Sequence, residues 1–567
     1  MKNQKIAEIF YQIADFLDIK GVAFKPNAYR RAARIIEDLQ EDIAKIKQRG
    51  ELTGIQGIGK NLANKIDEYL EAGEIGLHNR LKRELPPGLL DIISVPGLGP
   101  KTAGHLYKEK GISSLEELEK AAKERRLRQT KGFGQKTEEN VLKGIEMLKR
   151  MKGRILLGEA LPIAEEIIEE IRSKCKVKRI GVAGSVRRMK ETIGDIDILV
   201  VSEDSGKTMD VFSSISGVQD VIVRGLTKTS VYLHDGLQAD LRVVDLDSYG
   251  AALQYFTGSK DHNIHLRKIA QKMGYKVNEY GLFEGERKIA GETEKELYET
   301  LEMTYIEPEL REDNGEIEAS QKGKLPDLVR LEDVKGDLHV HTNWSDGTES
   351  IEDLAKIARG MGYEYIAVAD HSKSLKVAGG LDEDELMLQV KEIRKVDKRI
   401  KGFKILAGIE VDILGNGELD LDDSVLKRMD VVVGAIHSKF SMSEKEMTER
   451  VLEAMRNENL DILAHPTGRL IGRRNPYEAD IDKIMRESVD TKTALEINCF
   501  PDRLDLNGPN AKRAKQMGAK ISLGTDTHAA SNLYFMKFGV GMARRGWLES
   551  KDVLNTWSAK EILDYLK

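Results

Sequence analysis

Asp195-Ile196-Asp197 follows Gly184-Ser185-Val186-Arg187-Arg188 within one short stretch, and Asp240 opens the apolar run Asp240-Leu241-Arg242-Val243-Val244. Side chains alternate faces along a strand, so Asp195 and Asp197 share one face. Three carboxylates gathered on adjacent strands repel unless cations lie among them. A pair of Mg²⁺ ions relieves that repulsion and binds substrate phosphates as well. Such ions activate a hydroxyl nucleophile and stabilise in-line phosphoryl transfer. Gly184 and Ser185 offer backbone N–H and hydroxyl donors to phosphate oxygens, and Arg188 offers charge. A lone Asp-x-Asp is commonly a solubility device at a strand edge; the combination with Gly-Ser and Arg-Arg is more specific.

A second group lies far downstream. Six of the 11 histidines fall between positions 339 and 528: His339, His341, His371, His437, His465 and His528. Each stands at or near the end of an apolar run, as in Tyr365-Ile366-Ala367-Val368-Ala369-Asp370-His371 and Val431-Val432-Val433-Gly434-Ala435-Ile436-His437. Glu410, Asp346 and Asp526 have similar surroundings. The C-terminal ends of strands in a parallel barrel converge on one mouth. Imidazole and carboxylate ligands together suit Zn²⁺, Mn²⁺ or Fe²⁺, and metal-assisted hydrolysis of a phosphate ester is the chemistry such a set supports.

A third pattern is glycine-rich. Leu52-Thr53-Gly54-Ile55-Gln56-Gly57-Ile58-Gly59-Lys60 and Val95-Pro96-Gly97-Leu98-Gly99-Pro100-Lys101 each place Gly-apolar-Gly before a helix start. The glycines permit a tight turn and expose backbone N–H groups at a helix N-terminus, a geometry that suits phosphate. Lys131-Gly132-Phe133-Gly134 is a looser third copy. A plain helix-helix turn with glycine caps is the alternative.

The elements that must hold these groups follow from periodicity. Residues 1–150 read as helical, with Ile6, Ile9, Phe10, Ile13, Phe16 and Leu17 at helical spacing. A further amphipathic helix covers 151–172. Strands are expected at 179–183, 196–201 and 239–244. Residues 308–334, acidic and without a period, read as a linker. From about 335 onward, strand-like and helix-like runs alternate, which suggests a parallel sheet or barrel.

Composition narrows the class. The 567 residues exceed one domain, and 40% hydrophobic content supplies real cores. No apolar run is long enough for a transmembrane helix, and the start lacks a signal peptide's apolar core. Cys175 and Cys499 cannot build a disulfide framework. A cytoplasmic protein, monomeric and away from membranes, is the expectation. The net charge is −6, yet residues 1–150 hold 28 Lys and Arg against 22 Asp and Glu. A basic front end can follow a phosphate backbone while the whole chain stays acidic; ordinary solvated helix faces would give the same count.

The glycine hairpins, with Phe24-Lys25-Pro26-Asn27-Ala28-Tyr29-Arg30 and Ala63-Asn64-Lys65-Ile66, resemble those of family X DNA polymerases. The resemblance implies that Gly57, Gly59, Lys60, Gly97, Gly99 and Lys101 bind DNA, that Lys25 and Tyr29 sit at a 5′ phosphate, and that Lys65 matches a deoxyribose-phosphate lyase nucleophile. Asn61 and Leu77 stand where such lyases carry further lysines. Gly-Ser, Arg-Arg and Gly-Asp-Ile-Asp resemble the nucleotidyltransferase palm, which implies Asp195 and Asp197 as the two-metal pair and Asp240 as acceptor of the 3′-hydroxyl proton. By the same likeness Arg154, Gly184, Ser185, Arg188, Tyr255, Phe256, Gly258 and Asn263 bind the deoxynucleoside triphosphate and Arg267 contacts the template. Lys260 stands where the related enzyme has an acid.

The segment Asp337-Leu338-His339-Val340-His341-Thr342-Asn343-Trp344-Ser345-Asp346-Gly347 resembles the opening of the PHP domain, the polymerase and histidinol phosphatase family. The likeness implies three metal ions: His339, His341, Glu410 and Asp526 on one; Glu410, His437 and His465 on a second; Asp346, His371 and His528 on a third. Arg469, Arg473 and Arg474 are candidates to grip a DNA phosphate, or a solvated basic loop.

The implied fold is multidomain: a lyase-like helix-hairpin-helix domain (1–85), a second such domain (86–150), an α+β palm (151–250), a thumb (251–315), a linker (316–334) and a distorted (β/α)7 PHP barrel (335–567). The implied activity is filling of short gaps in gapped or nicked DNA during base excision repair, using Mg²⁺. A Zn²⁺- or Mn²⁺-dependent 3′-5′ exonuclease, abasic-site endonuclease or 3′-phosphatase would accompany it. A structural PHP domain, a small-molecule phosphatase on a DNA-binding carrier and a noncatalytic DNA-binding scaffold are the alternatives.

Overall fold

Ile6, Phe10, Ile13 and Leu17 recur at steps of four, three and four, and all are buried in helix Lys2–Ile19. The computed structural model describes residues 2–37, 43–55, 57–95, 97–130, 133–151, 153–233 and 236–566. Gln56, Pro96, Lys131 and Gly132 of the hairpin motifs therefore lie outside the described residues. The chain divides into two compact units: Met1–Lys152 with Gly472–Asn475, and Gly153–Ile471 with Pro476–Lys567.

Every regular element within residues 2–151 of the first unit is helical among the described residues. Its core joins Ile6 and Phe10 of the first helix to Ile58 and Ile66 of one hairpin and Leu98 and Leu106 of the other. Both hairpins have one backbone design. Gly57 and Gly97 take left-handed φ values of 91° and 84°, a turn that suits a residue without Cβ. Ile58 and Leu98 then plug into the core. Gly59 and Gly99 cap helices Lys60–Ala72 and Pro100–Lys110 in extended conformation, with no side chain satisfying the first-turn amides.

The second unit begins with a short pair, β1 (Ile155–Leu156) with β3 (Thr192–Ile193). The palm sheet runs β2 (Val177–Val182), β4 (Asp195–Ser202), β7 (Gln238–Val243), β6 (Lys228–Leu233), β5 (Val218–Arg224). Only β4 and β7 are parallel, in a register that sets Asp197 opposite Asp240. Ile196, Ile198 and Val200 of β4 join the main core with helix Leu157–Lys174. Leu199 and Val201 on the other face pack against Tyr249 and Ala252 of helix Tyr249–Thr257. Asp195 and Asp197 share that second face, at the end of the strand beyond this packing. Strands β5 and β6 escape a sequence reading because most of β5 is exposed and shows no buried alternation.

The thumb adds helix Lys260–Lys272 and the sheet β10-β9-β8 (Arg287–Ala290, Gly281–Glu284, Tyr275–Asn278). The stretch read as a linker without a period carries a short helix and packs at both ends. Glu316–Gln321 is helical, Ile317 and Leu328 enter the thumb core, and Val329 enters the main core. Isolated apolar anchors without a period hold it, which is why no pattern announced it.

The C-terminal barrel is a parallel sheet of seven consecutive strands: β11 (Gly336–Val340), β12 (Tyr365–Val368), β13 (Lys404–Asp412), β14 (Val431–Ala435), β15 (Ile462–Leu463), β16 (Ala494–Asn498) and β17 (Ile521–Gly524). Its open seam is drawn together where His341 N–H donates to the Thr527 carbonyl (2.8 Å) and Asp526 N–H to the His339 carbonyl (3.0 Å). Palm and barrel share one continuous apolar core, from Leu157 and Ile198 to Phe538 and Val553. Arg469 adds an ion pair with Glu191 (2.9 Å) and Arg544 one with Glu309 (2.7 Å). No helix among the described residues is long and apolar enough to cross a membrane.

Candidate active sites

In the palm, Gly184 takes φ 61°, and a Cβ built there would lie 2.6 Å from Asp197 Oδ2. The turn that opens helix Gly184–Arg187 thus lies directly against the carboxylate pair. A pocket of about 440 Å³ is lined by Gly184, Ser185, Asp195, Asp197, Arg154, Arg188, Tyr255, Phe256, Gly258, Asn263 and Arg267, joined by Lys190 and Lys260. Asp240 is not among its walls but faces Asp197 across β4 and β7.

Several of these side chains are held in place. Arg154 Nε donates to Thr192 Oγ1 at 3.0 Å. Asn263 donates to the Tyr255 carbonyl (2.7 Å) and accepts from Gln254 (2.8 Å). The Arg242 guanidinium lies 4.3 Å from the Phe256 ring centre. Arg267, an exposed residue, reaches the Asn263 carbonyl through Nε at 3.2 Å.

The carboxylates are tuned apart. Burial, then the charges of Asp195 and Asp240, push Asp197 up to about 7. Burial opposes ionisation of Asp240 too, but hydrogen bonds from Lys228, Gln238 and Ser230 hold its carboxyl below the ordinary aspartate range. Lys228 Nζ lies 2.7 Å from Asp240 Oδ2. A pair of carboxylates short of positive charge, beside phosphate-sized space and basic side chains, is a donor set that fits hard divalent cations.

In the barrel, all seven strands send groups to one mouth. Ligand atoms of His341, Asp346, His371 and His528 lie within 4.8 Å of one another, as do those of His339, His341 and Asp526, and of His371, Glu410 and His437. His465 Nε2 is 3.3 Å from Glu410 Oε1. These groupings overlap those implied by resemblance without repeating them: His341 also joins the Asp346 group, and His371 also joins Glu410.

Burial and then neighbouring imidazoles drive His341 down to about 3, and burial with Arg503 takes His465 to about 4, so both are neutral ligands. Burial opposes ionisation of Glu410 and Asp526, but facing imidazoles hold both far below the ordinary carboxylate range. His341 Nδ1 is buried without a hydrogen-bond partner, and Glu410 Oε2, 2.6 Å from His371 Nδ1, lacks a well-aligned one. Buried ligand atoms left unsatisfied in this way, in a mixed imidazole and carboxylate set, fit transition-metal or Zn²⁺ ions. His465 and Asp526 take left-handed φ values of 30° and 54°, a strain of about 1–2 kcal/mol each for residues with a Cβ.

Sequence reasoning missed the groups behind these ligands. Glu496 on β16 accepts from His465 N–H at 2.7 Å and lies 2.7 Å from His339 Nδ1. Asp412 sits 3.2 Å from His437 Nδ1. Asn498 donates to Asp526 (3.1 Å), and Arg503 stands 3.5 Å from it. The carboxylate interrupting Ala494-Leu495-Glu496-Ile497-Asn498 was the available signal. Arg469 does not face the mouth: it is committed to Glu191 and to the carbonyls of Arg503 and Leu504. Arg473 and Arg474 fall in Gly472–Asn475, outside the barrel's unit.

In the helical unit, Lys25, Lys60 and Lys101 are exposed. Lys65 Nζ is paired with Glu68 Oε2 at 2.6 Å. Burial and then the Glu68 charge raise the Tyr29 phenol above its ordinary value, so Tyr29 and Lys65 share one acidic neighbour.

A palm of this strand order beside a histidine-lined parallel barrel defines a class: polymerase-type palms joined to PHP barrels. Family models match along the chain as Helix-hairpin-helix domain (1–75), SAM-like Helix-hairpin-helix tandem (89–147), DNA polymerase beta palm (154–267), DNA polymerase beta thumb (252–312) and PHP domain (337–499). The chain is 38% identical to the DNA polymerase/3′-5′ exonuclease PolX of Bacillus subtilis (strain 168), over 100% of both chains. It is 24% identical to DNA polymerase lambda of Rattus norvegicus over 55% of this chain and 56% of that one. A probable phosphatase of Thermoanaerobacter sp. (strain X514) is 29% identical over 41% of this chain and 94% of its own. The chain belongs to the family X DNA polymerases that carry a PHP domain.

Proposed function

We propose that this chain fills short gaps in DNA from deoxynucleoside triphosphates and hydrolyses phosphate esters of DNA at its barrel, as a 3′-5′ exonuclease in the first instance. The observation that carries the polymerase reading is the register that sets Asp197 opposite Asp240, with Asp195 on the same face and Gly184 against them. Asp195, Asp197 and Asp240 would hold two Mg²⁺ ions. The nine barrel residues, His339, His341, Asp346, His371, Glu410, His437, His465, Asp526 and His528, would hold up to three Zn²⁺ or Mn²⁺ ions. When bound, these ions neutralise phosphate charge and make a hydroxyl or water a stronger nucleophile.

The chain's own residues do the rest. Arg154 and Arg188 take triphosphate oxygens, while Ser185 and the Gly184 turn supply short donors. Tyr255, Phe256 and Gly258 border the sugar, and Asn263 the base. Asp240, ionised beside Lys228, accepts the proton of the primer 3′-hydroxyl. At the barrel, Arg503 is the cation nearest Asp526 and takes a nonbridging phosphate oxygen. The hairpin amides and Lys25, Lys60 and Lys101 grip the DNA backbone, positioning it without reading sequence. Lys65 is a candidate lyase nucleophile, with its ion pair to Glu68 set against that role. The enzyme acts as a monomer on gapped or nicked DNA.

The test is a gapped duplex with a 5′-labelled primer and Mn²⁺, with deoxynucleotides present or absent. Extension lost only in Asp197→Ala, with shortening lost only in His341→Ala, is expected. Shortening without extension in the wild type would overturn the polymerase reading. A second reading, a small-molecule phosphatase, is favoured by the likeness of the barrel alone to a probable phosphatase; fast hydrolysis of a small phosphomonoester with none of DNA would support it.

A further inference from the structure

Arg188, one of three arginines that line the palm pocket, is held from the barrel side. Barrel helix Met536–Arg545 ends in Arg545. Arg545 Nη1 donates to the Arg188 backbone carbonyl (2.7 Å) and to Glu312 Oε1 (3.0 Å). The same Glu312 oxygen accepts from Arg188 Nε at 3.2 Å, and Lys190 Nζ stands 3.7 Å from the other oxygen. Arg188 also donates to the Thr257 carbonyl, just before Gly258. The side chains of Arg188, Glu312 and Arg545 are 13%, 18% and 10% exposed, so water screens these charges only in part.

The charge arithmetic gives Arg545 a task. Without Arg545, the Glu312 oxygen that meets Arg188 would be committed to that guanidinium alone and withhold it from an anion in the pocket. Lys190, 3.7 Å from the other oxygen, already gives this group one net positive charge; Arg545 raises it to two, and Glu312 divides its hold among three cations. A polyanionic ligand gains from both changes. The hydrogen bond to the Arg188 carbonyl also fixes the backbone that carries this guanidinium.

We propose that Arg545, a barrel residue outside the walls of the palm pocket, is a positioning residue for nucleotide binding: it shares Glu312 so that Arg188 stays available to the triphosphate. The proposal rests on the reading of the palm pocket as the nucleotide site. Through it the barrel sets nucleotide affinity in the palm without taking part in its chemistry.

The experiment is steady-state single-nucleotide insertion by the full chain on gapped DNA, with barrel hydrolysis measured in the same preparations. Arg545→Ala should raise KM for the nucleotide about tenfold, equivalent to about 1.4 kcal/mol, with kcat within about twofold of wild type. Glu312→Gln should leave KM at or below the wild-type value. The double variant should return to within about threefold of it, a non-additivity that marks direct coupling. Arg545→Lys should fall between, and hydrolysis should be unchanged throughout. An unchanged KM in Arg545→Ala overturns the proposal. So does a double variant as impaired as Arg545→Ala, or a joint fall of kcat and hydrolysis, which would mean that Arg545 only docks the two domains. A wild type unable to extend primers removes the polymerase reading before any variant is compared, and the proposal with it.

Discussion

Gly184→Ala places one methyl group where the structure has room for none. The position has φ 61°, and the new Cβ would meet Asp197 Oδ2 at 2.6 Å. An alanine held in the left-handed region costs about 1–2 kcal/mol. An ordinary carbon–oxygen contact begins about 0.8 Å further out, so the turn or the carboxylate must move by that amount. The Asp197 backbone cannot retreat, since its strand is paired on both sides, with β2 and with β7; relief must come from turning the carboxylate away from its present position or from shifting the turn. The stability loss is therefore modest, about 1–3 kcal/mol, while a displacement near 1 Å at reacting groups costs about a hundredfold in rate. Single-turnover insertion on gapped DNA should fall about 30- to 300-fold, with barrel hydrolysis unchanged. Gly217→Ala is the internal control, since a Cβ there meets nothing within 4 Å and its φ is unremarkable. Insertion within twofold of wild type in Gly184→Ala would refute the argument that this turn and Asp197 form one rigid unit.

Two further outcomes are expected. Glu496→Gln keeps the size of the group that meets His339 and His465 but removes its charge; hydrolysis should fall about 10- to 100-fold while primer extension persists, and equal loss of both would place Glu496 in folding alone. Asp461 is lifted by burial from 3.8 to about 7, with the Val432 N–H donating to it at 2.7 Å. The folded state then binds its proton more tightly than the unfolded chain, so stability falls as pH rises from about 4 to 7 and the cost persists above that. The gap sets a ceiling of about 4 kcal/mol, which partial solvent contact reduces to about 1–2 kcal/mol. Asp461→Asn should accordingly raise the denaturation midpoint at pH 8 and leave it nearly unchanged at pH 4; a loss at pH 8 would contradict the sign.

What could be read without coordinates was whatever repeats with a period or carries rare side chains. Helices in the first 150 residues and the alternating barrel both announce themselves through apolar spacing. Histidine at strand ends is scarce enough to count. Legibility stopped where structure comes from pairing across distance. The exposed β5 has no buried alternation to detect. The stretch from 316 to 334 is ordered by Ile317, Leu328 and Val329, single anchors into two different cores. Glu496, Asp412 and Asn498 look like ordinary polar residues until the barrel brings them behind His339, His437 and Asp526. Arg469 shows the converse: beside a histidine it reads as a phosphate contact, yet the fold uses it to join barrel and palm.

The two centres handle negative charge in opposite ways, and this decides when each is complete. In the barrel, imidazoles interleave with carboxylates, and the facing rings hold Glu410 and Asp526 far below the ordinary range. Those rings would give up their protons to bound metal ions, so this set would exchange protons for cations without help from a substrate. In the palm, Lys228 bonds Asp240, while at Asp197 burial and two like charges outweigh the charges of Arg242 and Lys228 and push the carboxyl up to about 7. That carboxylate is poised to be neutral or charged near physiological pH, and only added positive charge fixes it in the charged form. A cation entering with a triphosphate would supply this and be neutralised by the phosphates. On the proposed function, the palm would assemble with its substrate, whereas the barrel would be set beforehand. A chain that builds and hydrolyses phosphodiesters gains from the difference, since the palm centre is complete only when a nucleotide is there to be used.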